Sequence, residues 1–204
     1  MESRDNRPEQ LVDRATANDA ACAMHGELAL RPFTDADMGF LCEVFCATRL
    51  QEFLQGGMPA AQAEALLANQ FAIQHDYYRR HYPHGRFDII VCGDSRVGRL
   101  YHDWQGDAVQ LIDIALLPAY RGAGIGTRLL RAMVAEAARK GMPMRLYVEF
   151  NNPVRKLYGA LGFVSAGENG VYELMHRQAL PFEDEAAATC IEGLVGSVPS
   201  SKFA

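Results

Sequence analysis

The sequence predicts a mixed α/β domain in which a mostly antiparallel sheet of six to seven strands is flanked by about four helices. Residues 87–117 hold three strand-like stretches joined by short turns at Gly93-Asp94 and Gln105-Gly106-Asp107, the mark of an antiparallel meander. Helix, strand, helix and further strands follow, which makes the sheet mixed. A chain of 204 residues with 49% hydrophobic and 22% charged residues suits one domain with tails and a proper core.

Residues 1–25 mix charges, Asn, Pro and Ala without a sustained period and are expected to form a mobile leader. The domain proper is expected over 26–177. Glu27–Arg31 is its first strand, with Leu28 and Leu30 on one side. Thr34-Asp35-Ala36-Asp37 is a capping-box-like helix start, and Met38, Leu41, Cys42 and Phe45 follow on one face at i, i+3, i+4 and i+7. Gln55-Gly56-Gly57-Met58-Pro59 breaks that helix, and a second runs from Pro59 to Tyr82, ahead of Pro83. In the meander Phe87, Ile89 and Val91 alternate with their neighbours, and Arg96–Trp104 returns. Leu111, Ile112 and Ile114 open a buried strand that Pro118 ends.

The third helix, Gly126–Lys140, turns Leu129, Leu130, Met133 and Ala137 inward and stops at Gly141. Met144–Phe150 is a strand, and Pro153–Leu161 is a short helix ended by Gly162. A hairpin of Phe163–Ser165 and Val171–Met175 turns at Glu168-Asn169-Gly170. From Gln178 the pattern fades into an acidic stretch, Phe182-Glu183-Asp184-Glu185, and a Ser/Pro-rich end. Residues 178–204 are therefore expected to be an extension, either disordered or packed on a neighbouring surface.

A net charge of −5 argues against a general nucleic-acid or anionic-membrane binder, though not against a local basic pocket. The five cysteines (Cys22, Cys42, Cys46, Cys92, Cys190) are odd in number, scattered and without a C-x-x-C pair. Neither a disulfide framework nor a zinc pattern is visible, so a cytoplasmic protein without a metal is expected. Cys42 and Cys46 share a helix face as small core residues. No signal-peptide core or membrane-length apolar run appears.

The chemistry concentrates in Leu111–Leu130. Alternate glycines at a strand-to-helix junction leave successive N–H groups uncovered, and a helix N-terminus behind them makes an anion site suited to phosphate. Arg121 adds a charged fork beside it. The run is G-x-G-x-G, with Thr127 where a dinucleotide fingerprint wants its third glycine, and no acidic residue stands at the ribose spacing. No Gly-Lys-Ser/Thr follows, so a Walker loop is excluded.

Strand, proline and then Arg121-Gly122-Ala123-Gly124-Ile125-Gly126 resemble the acyl-CoA pyrophosphate loop of the GNAT N-acetyltransferase superfamily. Asn151-Asn-Pro-Val-Arg-Lys-Leu-Tyr158-Gly-Ala-Leu-Gly-Phe163 matches its closing motif in the right order and separation. The resemblance covers roughly 26–176. It implies acetyl-CoA as acyl donor, an amine acceptor, and direct transfer in a ternary complex. No cysteine falls in either motif, so an acetyl-cysteine route is disfavoured.

The resemblance also assigns residues. Arg121, Gly122, Ala123, Gly124, Ile125, Gly126 and Thr127 would hold the pyrophosphate. Ile114, Ala115 and Leu116 would splay from the next strand and offer backbone groups to the pantetheine arm and thioester oxygen. Asn151 matches an asparagine that contacts the cofactor or fixes the closing helix. Tyr158 matches the tyrosine that protonates the departing thiolate, a task suited to a phenol of pKa about 10. Asp113 is the leading candidate for the base, because a carboxylate in an apolar strand needs a partner or a task. Glu149, ending the next strand, is its rival, and His102 and Tyr101 on the third strand are further candidates to line the cleft. If the strand alternates regularly, Asp113 and Ala115 face away from Ile112 and Ile114.

The two early helices of that architecture flank the acceptor cleft, which makes Arg49, Glu52, His75 and Tyr78 candidate substrate contacts, with Tyr101 from the third strand. His75, Tyr78 and Tyr82 recur at helical spacing; the plainer reading is that the tyrosines cap the core and the histidines are solvated. No motif selects the acceptor, and a homodimer stays open. The alternative function is a non-catalytic acyl-CoA-binding regulatory module on the same fold.

Overall fold

The computed structural model describes residues 27–179, so the expected leader and nearly all of the expected extension lie outside the described residues. In chain order the elements are β1 (Leu28–Pro32), α1 (Met38–Gln55), α2 (Ala60–His81), β2 (Arg86–Cys92), β3 (Ser95–Asp103), β4 (Val109–Leu116), α3 (Ile125–Arg139), β5 (Met144–Glu149), α4 (Arg155–Ala160), β6 (Val164–Asn169) and β7 (Tyr172–Arg177). The strands form one seven-stranded sheet ordered β1-β2-β3-β4-β5-β7-β6. All neighbours run antiparallel except β4 and β5, whose connection through α3 makes them parallel.

Alternation along β2 sends Ile89 to one face of the sheet and Ile90 to the other. On the Ile89 face, α1 and α2 bring Leu41, Val44, Phe45, Leu67 and Phe71 against Ala115 and Tyr101. On the Ile90 face, α3 and α4 bring Leu129, Leu130, Met133, Ala137 and Tyr158 against Val109, Leu111, Leu146 and Val148. Burying both faces explains the largely apolar runs of β4 and of Ile89–Val91 in β2.

The capping box at Thr34 forms as expected, although it opens a short 3-10 turn, Asp35–Asp37, ahead of α1. Asp37 accepts from the Thr34 amide at 2.9 Å and is clamped by two Arg31 nitrogens, each at 2.7 Å, and by Arg96 at 3.1 Å. These donors hold its carboxyl well below the usual carboxylate range.

Two expectations change. The register jumps between Tyr101, opposite Asp113, and His102, opposite Leu111. Ile112 is thus the extra residue of a β-bulge and packs on the Ala115 side, so it does not share a face with Ile114. Cys92 is disulfide-bonded where the sequence showed no disulfide framework, which removes cysteine usage as an argument for a reducing compartment. Cys42 and Cys46 are free and half-buried, with sulfurs 4.0 Å apart along α1.

Candidate functional site

The site begins where the two parallel strands part. β4 and β5 pair only at Val109–Leu111 with Met144–Leu146. Beyond that point β4 continues to Leu116 against β3 alone, while β5 continues to Glu149 against β7. The result is a V whose β4 edge, Ile112–Leu116, has no strand partner on its β5 side among the described residues. The bulge at Ile112 sits at its apex and adds local twist. Gly98 on β3 lets the backbones meet there, since a Cβ built on it would lie 2.2 Å from the Ala115 carbonyl oxygen.

The same strand leads through the turn Pro118–Tyr120 to the glycine loop. Gly122 and Gly124 have φ of +81° and +78°, left-handed backbone that favours glycine. Gly124 is the N-cap of α3 and offers no side chain, so the first amides of the helix at Ile125, Gly126 and Thr127 point out of the helix end without a side-chain cap. No acidic residue occupies that first turn, and Arg128 is exposed within it. The geometry suits an anion.

Arg121 also anchors the loop. Its Nε donates to the Leu116 carbonyl at 2.9 Å and its Nη2 to the Ala47 carbonyl at 3.0 Å. These contacts tie the loop to β4 and α1, and the residue stays exposed beside the glycines.

On the α1/α2 side of the V, Asp113 is ion-paired through Oδ2 to Nη2 of Arg99, the neighbour two places along β3 from Tyr101. The same Nη2 donates to Gln74 Oε1 at 3.2 Å, and the guanidinium lies 5.2 Å from the Tyr101 ring and 5.7 Å from that of Phe45. Tyr78 from α2 stands in the same cluster, its ring 6.4 Å from that of Tyr101, while Tyr158 from α4 packs in the core of the opposite face, close enough to Asp113 to feel its charge. Burial pushes both phenols above the ordinary tyrosine value, and the Asp113 charge pushes the same way. Tyr101 is pushed up to about 12 by burial, against the opposing pull of Arg99.

The remaining candidates are dispersed. Arg49 and Glu149 pair at 3.2 Å, joining the end of α1 to the end of β5 across the mouth of the V. Glu52 is exposed one turn further on. His75 is buried between Phe33, Phe71 and Phe87, its ring nitrogens without a hydrogen-bond partner, so it is neither solvated nor open to a ligand. Tyr101 is fully buried and backs Arg99. His102 lies on the other face, accepting from Trp104 Nε1 at 2.7 Å and 3.3 Å from Asp88, which removes it from the cleft. Asn151 is exposed, and the adjacent Asn152 caps the α4 turn by accepting from the Val154 amide at 3.0 Å. Among the described residues no group of three or more His, Cys, Asp or Glu is placed to hold a metal ion.

The family model for the acetyltransferase (GNAT) family matches residues 50–163, more than half of the chain and both motifs. The chain belongs to the GNAT acetyltransferase family. Within the family it is 40% identical over 75 residues to the thialysine N-epsilon-acetyltransferase of Mus musculus, covering 36% of this chain and 44% of that one. The Bos taurus enzyme of the same name is 39% identical over 64 residues, covering 30% of this chain and 38% of its own. The match thus spans under half the length of these relatives. The PaiA N-acetyltransferase of Thermoplasma acidophilum, solved in complex with coenzyme A, shares the fold with a TM-score of 0.57 at 19% identity, covering 74% of this chain and 99% of that one. An acetyltransferase of Thermus thermophilus gives 0.53 at 22% identity, covering 74% and 96%.

The GNAT fold was read from the sequence, but Arg99 and Asn152 were not. Arg99 left no local trace, since its strand also carries Ser95, Arg96, His102 and Asp103. For Asn152 nothing but backbone geometry separates it from its neighbour.

Proposed function

We propose that this chain is an N-acetyltransferase that moves an acetyl group from acetyl-CoA to an amine by direct transfer in a ternary complex. The observation that supports it best is one strand, β4, that carries an open backbone edge and runs into an uncapped helix N-terminus through two left-handed glycines. That pairing fits a long ligand with a pyrophosphate at one end and an amide-rich arm at the other.

Acetyl-CoA supplies the activated thioester. The amides of Ile125, Gly126 and Thr127 hold the pyrophosphate, and the free edge at Ile114–Leu116 binds the arm, with an N–H placed for the thioester oxygen. The amine nitrogen attacks the carbonyl carbon, the C–S bond breaks, and Tyr158 gives the departing sulfur its proton. Asp113 faces the acceptor, orients the amine and accepts its proton, directly or through water. Tyr78 and the Arg49–Glu149 pair border the acceptor's path. The relatives are thialysine N-epsilon-acetyltransferases, so a lysine-type side-chain amine is the first acceptor to try.

Calorimetric titration with acetyl-CoA, followed by thiol release with thialysine, lysine, polyamines and peptide N-termini, tests this reading. Saturable binding and amine-dependent thiol release are expected. Absence of binding overturns it, and binding without release to any amine favours the regulatory module.

A further inference from the structure

Arg99 is the least expected charge in the molecule. It stands in the middle strand of the half-sheet under α1 and α2, 3% exposed, among Phe45, Phe71 and Tyr101. Taking a guanidinium out of water is costly, and an apolar residue packs more cheaply in such a place. Its hydrogen bonds do not use its full donor set, because Nε is buried without a partner. What it does hold is Asp113, whose side chain keeps 20% of its surface exposed at the V. Gln74 on α2 braces the same nitrogen from the other side.

We propose that Arg99 is a positioning residue for the transfer reaction, fixing the Asp113 carboxylate at the apex of the V through a buried ion pair. This rests on the N-acetyltransferase reading above. Arg99 does not touch the acceptor; it acts through Asp113. The buried Nη2–Oδ2 ion pair, with Gln74 on the same nitrogen, holds that carboxylate oxygen in place, whereas an unpaired Asp113 turns to whichever of Tyr78, Tyr101 or solvent offers a hydrogen bond. A loose group at the reacting centre costs rate even when binding is intact.

The test is a double-mutant cycle of Arg99→Met and Asp113→Asn, with Arg99→Lys as the conservative variant. Thialysine serves as acceptor probe and calorimetry follows acetyl-CoA. Arg99→Met is expected to lower kcat about tenfold or more with the acetyl-CoA affinity unchanged. Arg99→Lys should recover part of the loss, and in an Asp113→Asn background the Met substitution should cost little further. The double variant carries no unpaired buried charge, so it folds even where Arg99→Met alone does not. Equal losses of kcat in both backgrounds, accompanied by a lower melting temperature, overturn the proposal and make Arg99 structural. If wild type releases no thiol with any amine, the functional reading fails separately. Crystal structures of wild type and Arg99→Met with coenzyme A then decide: a displaced Asp113 carboxylate supports the proposal, and an unmoved one overturns it.

Discussion

Gly98 on β3 lies so close to Ala115 on β4 that a Cβ at Gly98 would meet the Ala115 carbonyl oxygen at 2.2 Å and Leu116 Cδ2 at 2.8 Å. The obstacle is backbone, which a rotamer change does not clear. Gly98→Ala is therefore expected to push the free edge of β4 outward. Overpacking of this kind costs roughly 1–3 kcal/mol. Because Ile114–Leu116 forms the proposed arm-binding edge, acetyl-CoA affinity should fall together with the melting temperature. Thermal melts with and without acetyl-CoA measure both, and a variant that melts lower but binds normally would place the arm elsewhere.

Gly124 presents the opposite case. A Cβ there meets nothing within 4 Å, so the conformation at φ +78° is what demands glycine. Gly124→Ala should cost about 1 kcal/mol of strain and weaken binding modestly. Gly124→Glu adds a carboxylate at the mouth of the proposed pyrophosphate site and should abolish acetyl-CoA binding while the fold persists. Calorimetry on the two variants separates strain from charge. Equal affinities would show that the pyrophosphate does not sit at this helix end.

Asp37 links the first turn to two arginines and should govern acid stability. Its folded pKa is depressed, so its contribution is fully present above the unfolded carboxylate value of about 4 and is lost as pH falls through the lower folded value. Asp37→Asn is expected to destabilise by roughly 1–3 kcal/mol at neutral pH, toward the lower end because both guanidinium groups are well exposed. Denaturant titrations between about pH 5 and 2 should show a shallower acid loss in the variant than in wild type. Parallel curves would mean the clamp contributes nothing.

Helix faces were the most legible part of the chain. Leu129, Leu130, Met133 and Ala137 recur on a helical period and are all buried. The glycine loop was legible because spaced glycines between strand and helix state a backbone requirement locally. The V was not visible in periodicity, since a strand that loses its neighbour keeps the same alternation; only the family resemblance supplied it. The bulge at Ile112 escaped because one inserted residue leaves an apolar run apolar. The Arg99–Asp113 pair joins two strands through a register that the bulge itself resets, so no local spacing encodes it.

Tyr158→Phe removes one hydroxyl and keeps the ring that packs edge-on against Phe163 at 5.8 Å. If Tyr158 protonates the departing thiolate, acetyl-CoA affinity should barely change, while kcat falls by roughly 10²-fold or more. A rise in KM for acetyl-CoA alone would make the hydroxyl a binding contact instead. Burial and the Asp113 charge raise the phenol's pKa, so the hydroxyl stays protonated well into the alkaline range. Wild type should therefore show no alkaline loss of rate from this group below about pH 10. The same shift has a stability consequence of fixed sign. The contribution of Tyr158 is fully present below the unfolded tyrosine value of about 10 and is lost as pH rises through the higher folded value. Tyr158→Phe should remove that part of the alkaline destabilisation. Rates and melting temperatures for both proteins across about pH 7 to 11 check all of this, and a variant of near-normal kcat would return Tyr158 to the core.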